Sequence, residues 1–293
     1  MFRTQPRALP PDQHGTSLDW VSYFNLNTLE QPLPWNDAYR LTPEERARAG
    51  ASIQQFQLGE SSEGRGLLRR AREHGVATGD AQFPEAVALF IQEEQRHSRI
   101  LGRFLDMHGI PRLQHDSVDT VFRRVRALAG LELCMRVLAT AEIIAVPYYT
   151  ALGKATASPL LGRICANILV DETAHLQFQA FVFARLSKGR PPWRQRLVEA
   201  LHALFLRITM MVVWLQHGKV FRAAGTDLDG FARRSQESLR GVCSAMERAG
   251  GSSGAAAAGG RRTTVHLGPK AAKVAVQPEP GPVSTNGAAA SRP

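Results

Sequence analysis

Four glutamates in this chain, Glu60, Glu94, Glu142 and Glu172, fall where helical periodicity calls for apolar side chains. An ionised carboxylate is costly to bury without a cation or a metal beside it, so each of these acids asks for a partner. Two of the four are followed three residues later by histidine, in Glu94-Gln-Arg-His97 and Glu172-Thr-Ala-His175. Residues i and i+3 share one helix face, so each pair can offer an oxygen and a nitrogen to the same point in space. With sixteen Glu and nine His in the chain, three such spacings occur, where random placement gives about half of one.

The elements that must position these residues are helices. Thr42-Pro43-Glu44-Glu45 is a helix start, with a Thr cap, Pro at the first helical position and Glu three residues after the cap. Ile53, Phe56, Glu60, Gly64 and Leu67 then recur at spacings of three and four, which predicts one helix from 42 to about 75 with Glu60 on its apolar stripe. A second helix from about Pro84 carries Val87, Phe90, Glu94, His97, Leu101 and Phe104 inward and stops before Gly109-Ile110-Pro111. A long connection follows, with a short helical pattern of its own at Val118, Phe122, Val125 and Leu128. A third helix over 131–153, kinked at Pro147, turns Cys134, Leu138, Glu142 and Ala145 inward. A fourth from Ser158-Pro159 turns Ile164, Ile168, Glu172, His175 and Phe178 inward. A very apolar fifth helix opens at Pro191-Pro192 and an amphipathic sixth spans 228–249.

Depth along the hairpins singles out four of these acids. Glu60 lies 17 residues before Ala77 and Glu94 lies 17 after it, while Glu142 and Glu172 lie 15 residues either side of Ala157. Each single Glu is therefore level with a Glu-x-x-His partner across its own turn, which helix formation alone does not demand. The third pair, Glu199 with His202, lacks a level-matched Glu and reads as a buried polar pair or a support behind the main group. A plain salt-bridge layer would need cations, yet the stripes supply only His97 and His175, and most arginines map to other faces. Four acids against two imidazoles are unbalanced, and two divalent cations would restore the balance. The two hairpins joined by one long crossover predict an all-α, ferritin-like four-helix bundle with two additional C-terminal helices.

The order Glu, Glu-x-x-His, Glu, Glu-x-x-His over about 120 residues resembles the ferritin-like di-iron carboxylate superfamily, which includes ferritins, rubrerythrins, acyl-carrier-protein desaturases and related oxidases. The strings Glu93-Glu94-Gln-Arg-His97 and Asp171-Glu172-Thr-Ala-His175 are similar to the desaturase-type pattern, in which the second acid of the first string is the ligand. The resemblance implies that Glu94 and Glu172 bridge two metals, that Glu60 and Glu142 are terminal ligands, and that His97 and His175 each cap one metal. It also implies that Asp171 stands behind the ligands and holds the imidazole N–H of His97. Glu63, one turn from Glu60, is a rival ligand. Glu93 and Glu132 point off the stripes and are expected to face solvent. Tyr148 and Tyr149 lie beyond Glu142, where core packing is expected and a redox role is the alternative. Mixed oxygen and nitrogen ligation suits iron or manganese, and two Fe ions are the expected cofactor, with Mn as the alternative.

Composition bounds the rest. Of the net charge of +10, +4 belongs to 250–293, where Arg261, Arg262, Lys270, Lys273 and Arg292 face Glu279 alone. That segment is Gly/Ala/Pro-rich and basic, and a disordered tail is expected there. The remaining charge is scattered without interleaved aromatics, so a solvated basic surface is expected rather than a nucleic-acid footprint. Cys134, Cys165 and Cys243 form no C-x-x-C pair, and free thiols in a reducing, cytoplasmic compartment are expected. No secretory signal opens the chain. The apolar run 197–220 is interrupted by Glu199, His202 and Arg207 and is expected to be a buried helix rather than a membrane span. Residues 1–41 read as an N-terminal arm whose Trp20, Tyr23, Phe24 and Trp35 can pack onto the domain at 42–249.

Three functions fit the resemblance. The first is an oxidase or oxygenase that activates dioxygen against a small organic substrate, with the fifth and sixth helices walling a cavity through Leu204, Phe205, Met210, Met211 and Trp214. The second is a ferroxidase or iron-storage protein. The third is a non-enzymatic bundle in which metal only stabilises the fold. Arylamine N-oxygenases add a His one turn before the final Glu-x-x-His, where this chain has Ile168, and rubrerythrins carry a Cys-rich module that three scattered cysteines cannot make. No electron donor is legible in the sequence.

Overall fold

The computed structural model describes residues 8–11, 15–28, 32–62, 64–116, 120–124 and 130–251. Glu63, Val118, Val125, Leu128 and the tail beyond residue 251 lie outside the described residues. Among those described, all regular structure is helical: α1 (Ser17–Asn27), α2 (Pro43–Gly59), α3 (Arg65–Thr78), α4 (Phe83–Met107), α5 (Leu131–Ala155), α6 (Pro159–Leu186), α7 (Pro192–Ala223) and α8 (Leu228–Gly251), with a short helical stretch at 120–124. The short turns at 79–82 and 156–158 make hairpins of α3 with α4 and of α5 with α6, and the long connection 108–130 joins them. α1 lies along α4, α7 packs on α5 and α2, and α8 packs on α6 and α5.

Local chemistry explains the starts. Thr42 and Glu45 form a reciprocal capping box at α2, with Pro43 in the first turn. The buried Glu45 also accepts bonds from the Ala157 N–H at 2.6 Å and the Tyr39 hydroxyl at 2.8 Å, which ties the start of α2 to the α5–α6 turn. A second capping box, Thr16 with Asp19, starts α1. Its Trp20, Tyr23 and Phe24 are buried among Phe90, Phe178 and Phe181, so the N-terminal arm is part of the core at this point. Trp35 is partly buried and carries the Arg103 guanidinium 4.0 Å above its ring.

The expected single helix over 42–75 is two helices. It breaks at Glu60, just where the first inward acid lies. Gly59, Ser61, Ser62 and Gly64 are weak helix formers, and the Ser61 hydroxyl bonds the Leu58 carbonyl at 2.6 Å in place of a continuing ladder. Gly64 is left-handed at φ +63, and a Cβ there would stand 2.5 Å from the Ile91 side chain on α4. The close approach of this segment to α4 therefore requires glycine twice over.

Two buried apolar clusters fill the bundle. One gathers Trp20, Phe24, Phe83, Phe90, Phe178 and Phe183, and the other Ile53, Phe104, Tyr148, Leu152, Ile164 and Phe221. Along α4, α5 and α6 the chain passes from one cluster to the other at Glu94, Glu142 and Glu172, so the acids form a polar layer between two apolar ones. α5 runs unbroken through Pro147. Cys134 and Cys165 are buried and Cys243 is half-buried, all three as free thiols.

α7 departs from expectation. It is long and apolar enough to cross a membrane by length and composition, but only 28% of its most apolar stretch is buried. Of the residues expected to wall a cavity, Met210 is buried, Phe205 and Trp214 are half-buried, and Leu204 and Met211 face outward. A helix apolar on all sides gives periodicity nothing with which to choose its buried face.

Gly64→Ala should lower the unfolding free energy by about 1–3 kcal/mol in denaturant melts, because the left-handed backbone and the Ile91 contact both resist a Cβ. Gly59→Ala, whose Cβ would meet nothing within 4 Å, should be neutral or mildly stabilising by up to about 1 kcal/mol.

Candidate metal centre

Glu60 ends α2, its N–H still bonded to the Phe56 carbonyl at 3.0 Å, and its carboxylate accepts the Tyr149 hydroxyl at 2.8 Å. α4 brings Glu94 and His97, α5 brings Glu142, and α6 brings Glu172 and His175. All six converge. They form two groups, Glu60, Glu94, His97 and Glu172, and Glu94, Glu142, Glu172 and His175. In each group one ligand-capable atom per residue lies within 4.8 Å of all the others, and Glu94 and Glu172 belong to both.

Both imidazoles are oriented in the same way. His175 Nδ1 lies 3.0 Å from Glu94 Oε1, 3.3 Å from Glu142 Oε2 and 3.8 Å from Glu172 Oε2. His97 Nδ1 lies 3.5 Å from Glu172 Oε1 and 3.8 Å from Glu94 Oε1. Each Nε2 points away from the middle to an acid on the opposite helix: His97 to Asp171 at 3.0 Å and His175 to Glu93 at 3.0 Å. A carboxylate accepting the Nε2–H fixes the ring's orientation, so that Nδ1 faces the middle and presents its lone pair there when the ring is neutral.

Glu93 therefore corrects the sequence reading. It was expected to face solvent, but it is buried and does for His175 what Asp171 does for His97. Arg96 ties the two acids together, donating to Glu93 Oε1 at 3.0 Å, to Asp171 Oδ2 at 3.1 Å and to the Asn27 carbonyl at 2.9 Å. The signal was the parallel between the two strings: each begins with an acid one residue before its inward Glu. Glu132 is half-buried in ion pairs with Arg136 and Arg190 rather than in solvent. Glu199 accepts from Gln195 at 2.6 Å, while His202 is buried between Arg136 and Thr140, so these two are not a pair. Tyr148 shares Ser52 with His217, both at 2.8 Å, and stacks on Phe56.

The donor set fits divalent cations. Glu94 Oε1, Glu172 Oε2 and His97 Nδ1 are buried without a hydrogen-bond partner, and all three lie among the converging atoms. Buried polar atoms are normally satisfied, and an ion in each group would satisfy these. The electrostatics agree. Burial, with the neighbouring carboxylates adding to it, pushes Glu60 and Glu172 well above the ordinary carboxylate range and raises Glu142. Burial opposes the charged forms of Glu94 and His175 too, but the imidazoles of His175 and His97 beside Glu94 hold it down, and Glu142, Glu172 and Glu93 hold His175 well up.

Two cavities reach the carboxylates. One, of about 160 Å³, touches Glu60, Glu94, Glu142 and Glu172 and is walled by Phe56, Val137, Ile144, Val213 and His217. The other, of about 340 Å³, is lined by Leu67, Phe90, Ile91 and Leu138, with Arg65, Arg70 and Arg123 at its edge. Both share Gly59, Glu60, Glu94 and Leu138. α7 does wall the inner cavity, through Thr209, Val213, Gln216 and His217. No protein-family model, curated protein or solved structure matches this chain.

Arg96→Met should cost about 3–5 kcal/mol of stability in denaturant melts, since it strands two buried acids. His217 gives a pH signature. Burial pushes it from 6.5 down to about 4. The unfolded chain therefore takes its proton first, and stability present above pH 6.5 is lost as pH falls towards 4, by up to about 1.4 kcal/mol per pH unit. The stability of His217→Gln, compared with the parent across that window, should fall less steeply with acid.

Proposed function

We propose that this chain is a ferritin-like, di-metal carboxylate oxidoreductase that activates dioxygen against a small organic substrate, with two iron ions as the cofactor. The observation that carries the reading is the pair of four-residue groups sharing Glu94 and Glu172, with unpartnered buried ligand atoms in both. In this reading Glu94 and Glu172, common to both groups, would each help to hold both metals, while Glu60 with His97 and Glu142 with His175 would each help to hold one. Two ferrous ions held by these residues would supply electrons to dioxygen, and the protein's own part would be to place the substrate.

The residues around the proposed centre have separable tasks. Asp171 and Glu93 hold His97 and His175 in the tautomer that presents Nδ1, and Arg96 pairs with both acids and keeps them in place. Tyr149 donates its hydroxyl proton into a bond with Glu60, limiting the swing of the one acid carried at a helix end. The apolar walls Phe56, Val137, Ile144 and Val213 exclude water and suit an apolar substrate beside the carboxylates. The predominantly apolar lining of the cavity at Phe56, Val137, Ile144 and Val213 supports an organic substrate, while Gln55, Asp116, Thr209, Gln216 and His217 on the same lining are what a ferroxidase reading would use as a polar route.

Anaerobic ferrous titration of the full chain should saturate at two irons, and oxygen should then produce a transient absorption band. Glu94→Ala and Glu172→Ala should each abolish two-metal binding, while Asp171→Asn and Glu93→Gln should weaken it about 10–100-fold. Uptake of many irons per chain would move the reading to storage. Failure to bind iron or manganese, or variants that bind two metals as tightly as the parent, would overturn the centre itself.

A further inference from the structure

α7 carries an exposed apolar stripe at Leu197, Leu201, Leu204, Ile208, Met211 and Leu215, each at least half exposed. The spacings run four, three, four, three, four, which is the seam of a coiled coil rather than the scatter of single surface apolars. The helix's opposite side, at Leu206, Met210, Val213 and Val220, is buried in the domain. α7 thus has two apolar faces, and the described residues cover only one.

We propose that the open face docks against α7 of a second copy of this chain, antiparallel, about a two-fold axis level with Leu206. The spacing pattern reads the same from either end, as a self-complementary interface requires. In that register Leu197 lies level with Leu215 of the second copy, Leu201 with Met211, and Leu204 with Ile208. A parallel pairing would set Arg196 and Lys219 each against its own copy, whereas the antiparallel register carries each of them to the opposite end of the paired helices from its copy. With Trp193, itself 66% exposed, the stripe offers on the order of 700 Å² per protomer, close to the ~800 Å² per partner of a standard interface.

The parent chain should sediment as a dimer at micromolar concentration. Leu204→Glu with Ile208→Glu, both at exposed positions, should sediment as a monomer with unchanged helical circular dichroism and unchanged metal stoichiometry. Mixing Leu204→Cys with Ile208→Cys protein under oxidation should give a disulfide-linked heterodimer, and Leu201→Cys alone should give no more cross-link than the parent. A monomeric parent overturns the proposal, and binding of that monomer to phosphatidylglycerol vesicles would assign the face to a lipid surface. A double variant that stays dimeric, or a Leu201→Cys homodimer linked as readily as the mixed pair, overturns it as well.

Discussion

Four carboxylates packed within reach of one another in a helical interior set the terms for everything around them. Glu93 and Asp171 bring the acids of this layer to six, four of them fully buried, and the buried cations close to them are Arg96 and, when protonated, His97 and His175. Even with both imidazoles charged, three negative charges stay uncompensated in a medium where each is expensive. Burial and the neighbouring carboxylates push Glu60 and Glu172 well above the ordinary carboxylate range in answer to that excess. Two divalent cations would match the four inner carboxylates charge for charge and would free both imidazoles to be neutral donors. Folding and metal binding would then be linked, because the ions remove the largest penalty in the core.

The frame that holds the layer is reciprocal. Each Glu-x-x-His string gives an inward carboxylate, an imidazole, and an acid that reaches across to steady the imidazole of the other string. Arg96 closes the loop by holding both outer acids and the carbonyl of Asn27 on α1. The helix at the N-terminus is thereby coupled to the layer twice, through that carbonyl and through Phe24, whose ring lies 6.3 Å from His175. Apolar clusters above and below hold the helices in register, so the polar layer need not stabilise the bundle by itself.

What was legible in the sequence followed from period. Inward acids at i and imidazoles at i+3 can be read from a stripe, and equal depth along two hairpins can be counted, so the sequence alone singles out all six convergent residues. Glu93 was missed because a stripe is drawn about one direction, whereas α4 is enclosed by α1, α2, α3 and α6 and buries a much wider arc. The break after Gly59 was missed because the apolar recurrence continues through Gly64 to Leu67. Only the left-handed backbone at Gly64 and its contact with Ile91, which are three-dimensional facts, interrupt it. α7 was placed but not oriented, since apolar residues on both faces leave no moment to read.

That break gives the layer an uneven stiffness. Glu94, Glu142 and Glu172 stand mid-helix, between the two buried apolar clusters, while Glu60 hangs from a helix end beside Gly59, Ser61 and Gly64. Both cavities meet at this same end of the layer, and Gly59 lines each of them. A carboxylate that must shift to admit a ligand costs least to move where the backbone already lacks a continuing helix, and its bond to Tyr149 limits how far it swings. If the layer holds ions, its mid-helix acids would suit holding them and the Glu60 side would suit exchange with whatever enters the cavity. A continuous helix through this position would carry Glu60 on an inflexible element like the other three acids, whereas the Gly- and Ser-rich interruption sets it apart.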